Sequence, residues 1–70
     1  MITVTVKVTA ECEGLLNSMP RGYEYELTDE DYNEDGSGTV EFFIHDVDEL
    51  TAGHQLVLDT NDEVVSYTVS

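Results

Sequence analysis

The side chains most able to do chemistry in this chain are its carboxylates. Sixteen Asp and Glu residues stand against only two cations, Lys7 and Arg21, so the formal net charge of the 70 residues is −14. Eleven of the acids lie between Glu24 and Glu49, a stretch that contains no Lys or Arg. Unpaired carboxylates repel one another and attract basic partners. The charge therefore favours binding of a basic protein and disfavours nucleic acid or an anionic membrane as direct ligands.

The spacing of the acids indicates what kind of basic partner they suit. Glu24 and Glu26 alternate with Tyr23, Tyr25 and Leu27, which is typical of a half-exposed strand with an acidic wet face. Residues i and i+2 of a strand lie roughly 6.6–6.8 Å apart, a spacing similar to that of neighbouring phosphates. Proteins that bind nucleic acid offer a groove of Lys and Arg for such phosphates. We therefore expect the acids to mimic a nucleic acid and to inhibit a nucleic-acid-binding protein by filling its groove.

The predicted partner-binding surface consists of the acids of this stretch and one aromatic residue that could stack on Arg. Its members are Glu24, Glu26, Asp29, Glu30, Asp31, Tyr32, Glu34, Asp35, Glu41, Asp46, Asp48 and Glu49. A small, acidic, Lys-poor and Cys-poor chain is similar in composition to phage-encoded inhibitors of bacterial defence systems. That resemblance implies action in the cytoplasm, or in the host cytoplasm if the chain is phage-encoded.

Two other interpretations explain the acids without a basic groove. In the first, they form a solvated face for solubility or for work in concentrated salt, where charges are screened. In the second, the chain is a structural or assembly module that joins a larger particle, or a second copy, through a sheet edge. Binding to a basic groove should weaken steeply as salt rises, whereas strand addition should survive high salt.

One acidic segment partly matches a calcium-binding loop. Asp31, Asn33 and Asp35, followed by a glycine, agree with the first half of the EF-hand pattern. The second half departs from it, because Phe42 stands where the bidentate Glu should be and Glu41 lies one residue early. We therefore expect no metal or other cofactor, and a weak calcium site is the alternative.

Three further residues could take part in catalysis, but their context does not support it. His45 and His54 could exchange protons near neutral pH, yet the chain has no glycine-rich phosphate loop and no nucleophile elbow. Their spacing from Cys12, the single cysteine, follows no zinc pattern. We expect Cys12 to be a buried small hydrophobe and the protein not to be an enzyme. A lone cysteine allows no internal disulfide, which indicates a reducing, cytoplasmic compartment.

Alternating patterns predict the strands that position these groups. Residues 2–10 alternate apolar and polar side chains, residues 23–27 and 39–45 repeat the pattern, and residues 55–59 and 64–69 read as a hairpin with Val65, Tyr67 and Val69 inward. Residues 28–38 read as an exposed loop. Short helical turns are expected within 13–19 and from Asp46 to Gly53.

These elements predict a single all-β domain over residues 1–70. The expected architecture is a small antiparallel four- to five-stranded sheet, barrel or sandwich with one or two short helical turns. An α+β fold with one short helix on the sheet is the alternative. Tyr23 and Tyr25 are expected to lie in the core and Tyr32 at the surface.

Overall fold

A computed structural model describes residues 1–10 and 14–70 of the chain. Its elements, in chain order, are β1 (Ile2–Val8), a 3₁₀ turn (Leu16–Ser18), β2 (Tyr25–Tyr32), β3 (Gly38–Ile44), α1 (Ala52–Thr60) and β4 (Val64–Val69). The strands form one antiparallel sheet in the order β2-β3-β1-β4, with β2 and β4 at the two edges. The predicted antiparallel fold of four strands with short helical elements is confirmed. The sheet is open, so the barrel option does not apply.

The core lies on one face of the two central strands. Alternation on β1 buries Ile2, Val4, Val6 and Val8, and alternation on β3 buries Val40, Phe42 and Ile44. The register sets Val4 opposite Phe42 and Val6 opposite Val40, so the two buried rows coincide. Leu15, Met19 and Leu58 cover them from the loop and helix side. Each fully buried aliphatic or Phe side chain contributes about 1.5–3 kcal/mol, so this single layer is the main source of stability.

Both edge strands contain a β-bulge. In β2 the register passes from Leu27 opposite Phe42 to Asp29 opposite Glu41, which leaves Thr28 as the extra residue. In β4 it passes from Ser66 opposite Lys7 to Val64 opposite Val8. An extra residue reverses the in–out alternation beyond it. The bulges therefore decide which side chains of each edge strand reach the core.

The bulge in β2 explains why the exposed loop expected over residues 28–38 was wrong in its first half. The segment holds many acids around one apolar side chain, Tyr32, which predicts a loop, and unbroken alternation from Leu27 would send Asp29 and Asp31 inward. With the extra residue, β2 continues to Tyr32, which is half-buried and packs against the core instead of lying at the surface as expected. Only residues 33–37 form the connecting turn.

The bulge in β4 corrects a second expectation. Val65 was expected to point inward, but its side chain is 63% exposed, and Val64 instead packs against the core opposite Val8. Tyr67 also packs against the core, as expected.

The strand expected over residues 55–59 was also wrong, because these residues belong to α1. The run Leu56, Val57, Leu58 fits either element by pattern. The helix is favoured because Thr51 caps its N-terminus. The Thr51 hydroxyl accepts a hydrogen bond from the His54 N–H, and the His54 side chain accepts one from the Thr51 N–H. His54 and Leu58, four residues apart, then face the core.

The helical turn expected from Asp46 to Gly53 was wrong in its position. Asp46 ends the β3 strand region in a left-handed backbone conformation with φ of 64°, which Asp tolerates better than most residues. Gly53 lies in the first turn of α1 rather than at a helix end. The turn expected within 13–19 is present as the 3₁₀ turn Leu16–Ser18. The expected position of Cys12 lies outside the described residues.

A chain of hydrogen bonds centred on the buried His54 connects α1 to β2 and to the segment before it. The Thr51 hydroxyl and N–H both donate to Nδ1 of His54, at 2.8 and 3.4 Å. Nε2 of His54 therefore carries the hydrogen and donates to the Tyr25 hydroxyl at 2.9 Å. The Tyr25 hydroxyl in turn donates to the Pro20 carbonyl at 2.7 Å. The ring of Tyr23 packs edge-on against His54, with centroids 4.7 Å apart.

Removing the Tyr25 hydroxyl should test this chain of bonds. Tyr25→Phe leaves both the His54 Nε2–H and the Pro20 carbonyl without a partner, so the free energy of unfolding should fall by about 1–3 kcal/mol. Tyr67→Phe is the matched control, because the Tyr67 hydroxyl bonds the exposed Asp59 carboxylate. Urea unfolding of both variants measures the difference, and equal losses would contradict the role given to Tyr25.

Gly38 at the start of β3 should not tolerate a side chain. A Cβ there would collide with the backbone carbonyl of Asp31 and approach Cα of Tyr32 at 2.8 Å, so the β2–β3 hairpin would have to shift. Gly38→Ala should lower the free energy of unfolding by about 1–3 kcal/mol, the usual range for overpacking.

Gly14 provides the control for this substitution, because a Cβ at Gly14 meets no atom within 4 Å. Gly14→Ala should change stability by less than about 1 kcal/mol, through the unfolded chain alone. Thermal and urea unfolding compare the two variants. A Gly38→Ala protein as stable as Gly14→Ala would show that the hairpin backbone yields easily.

Candidate protein-binding surface

The face of the sheet opposite the core is not covered by any other described element. We call it the open face. By strand register, its side chains are Thr3, Thr5 and Lys7 of β1, Thr39, Glu41 and Phe43 of β3 with the following His45, Glu26, Asp29 and Asp31 of β2, and Ser66 and Thr68 of β4. One half of this face is acidic, and the other half is mostly Thr and Ser.

Four of the predicted binding residues come together on the acidic half. Register sets Glu26 opposite Phe43, Asp29 opposite Glu41 and Asp31 opposite Thr39, so all four carboxylates share the open face. We call Glu26, Asp29, Asp31 and Glu41 the acidic edge. The three on β2 are exposed and Glu41 is half-buried.

The acidic edge has no strong cation beside it. Lys7 occupies the same transverse row as Asp31, but β3 lies between their strands. Two strand spacings amount to about 9–10 Å, near the Debye length in physiological salt. Among residues 1–10 and 14–70, no Lys or Arg pairs with a carboxylate; the one side-chain contact of this kind is made by a histidine, with Nε2 of His45 lying 3.5 Å from Oε2 of Glu26.

The other predicted binding residues lie in several different places. Glu30 is exposed but falls on the core-side face opposite Val40. The remaining ones are Glu24 just before β2, Glu34 and Asp35 in the β2–β3 turn, and Asp46, Asp48 and Glu49 between β3 and α1. Tyr32 packs against the core. The structure thus gathers one compact group, the acidic edge, and distributes the rest around the β2 side and the loops.

Within β2, Asp29 and Asp31 have the two-residue spacing that was expected for Glu24 and Glu26. Glu24 lies outside the strand, where its carbonyl accepts a hydrogen bond from the His45 N–H. Thr28 adds one residue between Glu26 and Asp29. Asp29 and Asp31 keep the two-residue separation on one face, for which a strand gives about 6.6–6.8 Å.

Two residues that sequence reasoning did not select help to shape this surface. The Thr28 hydroxyl lies 3.0 Å from both the carbonyl and Oε1 of Glu41, so the bulge residue orients that carboxylate. Phe43 lies half-buried on the open face between Thr3 and Glu26, near the end of β3, with its ring edge-on to the His45 ring at 6.4 Å. Its signals in the sequence are that it interrupts the otherwise polar outward row of β3 and that acids border it. An aromatic ring beside carboxylates suits the guanidinium of Arg.

The segment that resembles a calcium loop acts as the β2–β3 hairpin turn. Oδ1 of Asp35 accepts hydrogen bonds from the Ser37 hydroxyl at 2.6 Å and the Ser37 N–H at 2.9 Å. These two bonds, the hydroxyl's first, hold the pKa of Asp35 below its ordinary value. The Asn33 side chain donates to the Ser37 hydroxyl at 3.1 Å. In the described ranges, no three His, Cys, Asp or Glu side chains are grouped so as to hold a metal ion.

The two histidines occupy opposite environments. His54 is fully buried within the hydrogen-bond chain to Thr51 and Tyr25, so a substrate in solvent does not reach it. His45 lies on the open face next to Glu26 and forms part of the candidate binding surface. The sequence pattern alone treated the two as equivalent.

The pKa of His54 gives a testable pH dependence. Burial lowers this pKa below its ordinary value of 6.5, because the charged ring loses its hydration in the core. The unfolded chain therefore binds the proton at higher pH than the folded chain. The contribution of the neutral His54 ring to the free energy of unfolding is therefore fully present above about pH 6.5. It is lost as the pH falls through the folded-state pKa of His54.

Unfolding curves between neutral and mildly acidic pH check this dependence, in high salt so that repulsion between carboxylates is screened. The free energy of unfolding should fall with pH for the wild type and for His45→Gln, the surface control. His54→Gln should show a flatter profile. A wild-type free energy of unfolding that rose as the pH was lowered would contradict the assignment.

No helix of residues 1–10 and 14–70 is both long and apolar enough to cross a membrane. Comparison of the chain with protein-family models, curated proteins and solved structures found no match. The functional conclusion therefore depends on the geometry and charge of the surface itself.

Proposed function

We propose that this protein inhibits a nucleic-acid-binding protein by inserting its acidic edge into the groove that receives the phosphates. The observation that carries the proposal is the placement of Glu26, Asp29, Asp31 and Glu41 on one sheet face that, among the residues the structure describes, no other element covers and no Lys or Arg neutralises. Such a row presents negative charge as a phosphate backbone does, and a basic groove responds to that charge.

The sheet makes this row rigid. β2 pairs with β3 along nearly its whole length, so the backbones that carry the four carboxylates are held by the hydrogen-bond ladder. Thr28 further orients Glu41, and His45 pairs with Glu26. A preorganised surface loses little conformational entropy on binding, which leaves more of the electrostatic attraction as affinity.

The position of β2 at the sheet edge makes the row accessible. The walls of a groove can approach from the free side of β2 as well as from above the open face. Phe43, opposite Glu26 on that face, supplies a ring on which an Arg of the groove stacks while its guanidinium meets Glu26 or Glu41. The partner chemistry that fits best is thus a groove rich in Arg.

The compositional resemblance to phage-encoded inhibitors of bacterial defence systems gives this activity a biological setting. In that setting the partner is a nuclease or other nucleic-acid-binding protein of the host, and inhibition takes place in the host cytoplasm. Electrostatic steering would speed the encounter, since association between oppositely charged surfaces is accelerated at low salt.

An assembly module is the alternative function, and one observation favours it. The second edge strand, β4, contains no charged residue. Under this alternative the acids serve solubility or salt adaptation, and partners add to the sheet by main-chain hydrogen bonds.

Capture from a host lysate tests the proposed function. The immobilised protein is exposed to lysate at low salt, eluted with a salt gradient and the eluted proteins are identified by mass spectrometry. We expect nucleic-acid-binding proteins that elute as salt rises. A purified captured protein is then bound to fluorescent duplex DNA, and the acidic protein should displace that DNA.

Matched charge variants locate the activity on the surface. Reversing Glu26, Asp29 and Asp31 to Lys should weaken competition more than about tenfold, since close charge pairs couple by a few kcal/mol. Reversing Asp59, Asp62 and Glu63 changes the net charge equally but affects residues that lie outside the sheet and outside the predicted binding surface, so competition should fall much less. A first triple variant that competes at full strength, while circular dichroism shows both variants folded, would refute the proposal.

A further inference from the structure

The two edges of the sheet differ sharply in charge. β2 carries Glu26, Asp29, Glu30 and Asp31, whereas β4 (Val64–Val69) consists only of Val, Ser, Tyr and Thr. Natural proteins commonly protect an edge strand with charges because its unpaired backbone groups accept another strand. Here β2 is protected in that way, whereas the described part of the chain protects β4 only by the bulge at its start.

The backbone of β4 has a short regular row of outward N–H and C=O groups with which a further strand could pair. Thr3 and Ser70 exchange both backbone hydrogen bonds, each at 2.9 Å. In an antiparallel pair such positions alternate with ones whose N–H and C=O point away from the partner strand. Since Val69 precedes Ser70, the backbone groups of Val69 and Tyr67 point to the outer side of β4. The bulge at Val65 ends this row.

Apolar side chains border the same edge. Val69 is 41% exposed and Val65 is 63% exposed. The Tyr67 hydroxyl donates to Oδ1 of Asp59 at 2.9 Å, which holds α1 beside β4. Leu56, three residues before Asp59 and on the same side of the helix, is 62% exposed. Apolar surface therefore lies beside the backbone row, where a second strand and helix would cover it.

We propose that two copies of the chain pair antiparallel through β4 and form one continuous eight-stranded sheet. A two-fold axis at Thr68 sets Tyr67 of each copy opposite Val69 of the other, so that their outward N–H and C=O groups bond reciprocally. Thr68 then faces its own symmetry mate on the open face. The pairing uses only the regular half of β4, beyond the bulge.

The charge distribution favours a second copy as the occupant. Two chains of net charge −14 repel in most orientations. β4 is uncharged and lies at the opposite edge from β2, so pairing through β4 separates the two acidic edges as widely as the sheet allows. It also leaves both of them uncovered. A basic peptide, by contrast, finds no carboxylate on β4 itself, and the neighbouring Asp59 carboxylate already accepts a hydrogen bond from Tyr67.

Dimerisation through β4 and binding to a basic groove should respond to added salt in opposite directions. Added salt screens the repulsion between the two copies and leaves apolar contacts and backbone hydrogen bonds in place, so dimerisation should strengthen. Binding to a basic groove should weaken under the same change. The dimer does not depend on the proposed function, and the failure of either one is separable from the failure of the other.

Sedimentation velocity of the full chain over a wide concentration range, at low and high sodium chloride, tests the proposal. We expect a reversible monomer–dimer equilibrium whose dimer fraction rises with salt. A monomer at every concentration and salt level would overturn the proposal, as would a dimer that dissociates on adding salt.

A matched pair of substitutions identifies the edge. Val69 and Leu27 are exposed to similar extents, 41% and 44%, and lie on opposite edge strands. Val69→Asp should weaken dimerisation at least tenfold, because it places two carboxylates near the two-fold axis. Leu27→Asp adds the same charge at β2 and should retain the dimer in high salt. Equal losses, or a loss confined to Leu27→Asp, would overturn the assignment to β4.

Amide hydrogen exchange of the wild type decides the question even if Val69→Asp fails to fold. The amides of Tyr67 and Val69 should exchange more slowly as concentration rises through the dimerisation range, because they become hydrogen-bonded between copies. Outward amides of β2 should not change. Protection that stayed constant at Tyr67 and Val69 across a measured dimer transition would place the contact elsewhere.

Discussion

The antiparallel pairing of β1 with β3 is the interaction on which the rest of this structure depends. Its register superimposes the two buried rows, with Val4 opposite Phe42 and Val6 opposite Val40, and so creates one dry face and one wet face. A chain of 70 residues has little else to bury. One helix and the loop before β2 suffice to cover the dry face, and the wet face stays open for other molecules.

Strict alternation made β1 and β3 predictable from the sequence, whereas the edge strands were only partly so. Thr28 and Val65 are the extra residues of the two bulges, and nothing in their chemistry marks them as such. A one-residue shift reverses every side chain beyond it, which is why Tyr32 and Val64, not the residues expected, pack against the core. The helix escaped prediction because Leu56, Val57 and Leu58 fit both periods and because His54 stands where a capping box usually has Glu or Gln.

The bulge at Thr28 also limits how much of the candidate surface could be predicted from the sequence. The acidic character of residues 24–49 is plain in the sequence, but their division between two faces depends on Thr28 and on the strand register. Glu41 joins the β2 acids only because β3 lies next to β2. Phe43 and His45 acquire a place beside them by the same adjacency, although composition gives neither residue special weight.

The hydrogen-bond chain from Thr51 through His54 and Tyr25 to Pro20 also bears on the order of folding. A nine-residue helix is too short to persist alone in water. The N-terminal turn of α1 is capped by the His54 side chain, and Nε2 of the same ring donates a hydrogen bond to Tyr25. Tyr25 is in position only after β2 has paired with β3. The β2–β3 hairpin, with its five-residue turn, closes the shortest loop in the sheet. Folding should therefore begin at this hairpin, and α1 should consolidate late, so that the unfolding rate is most sensitive to substitutions around His54.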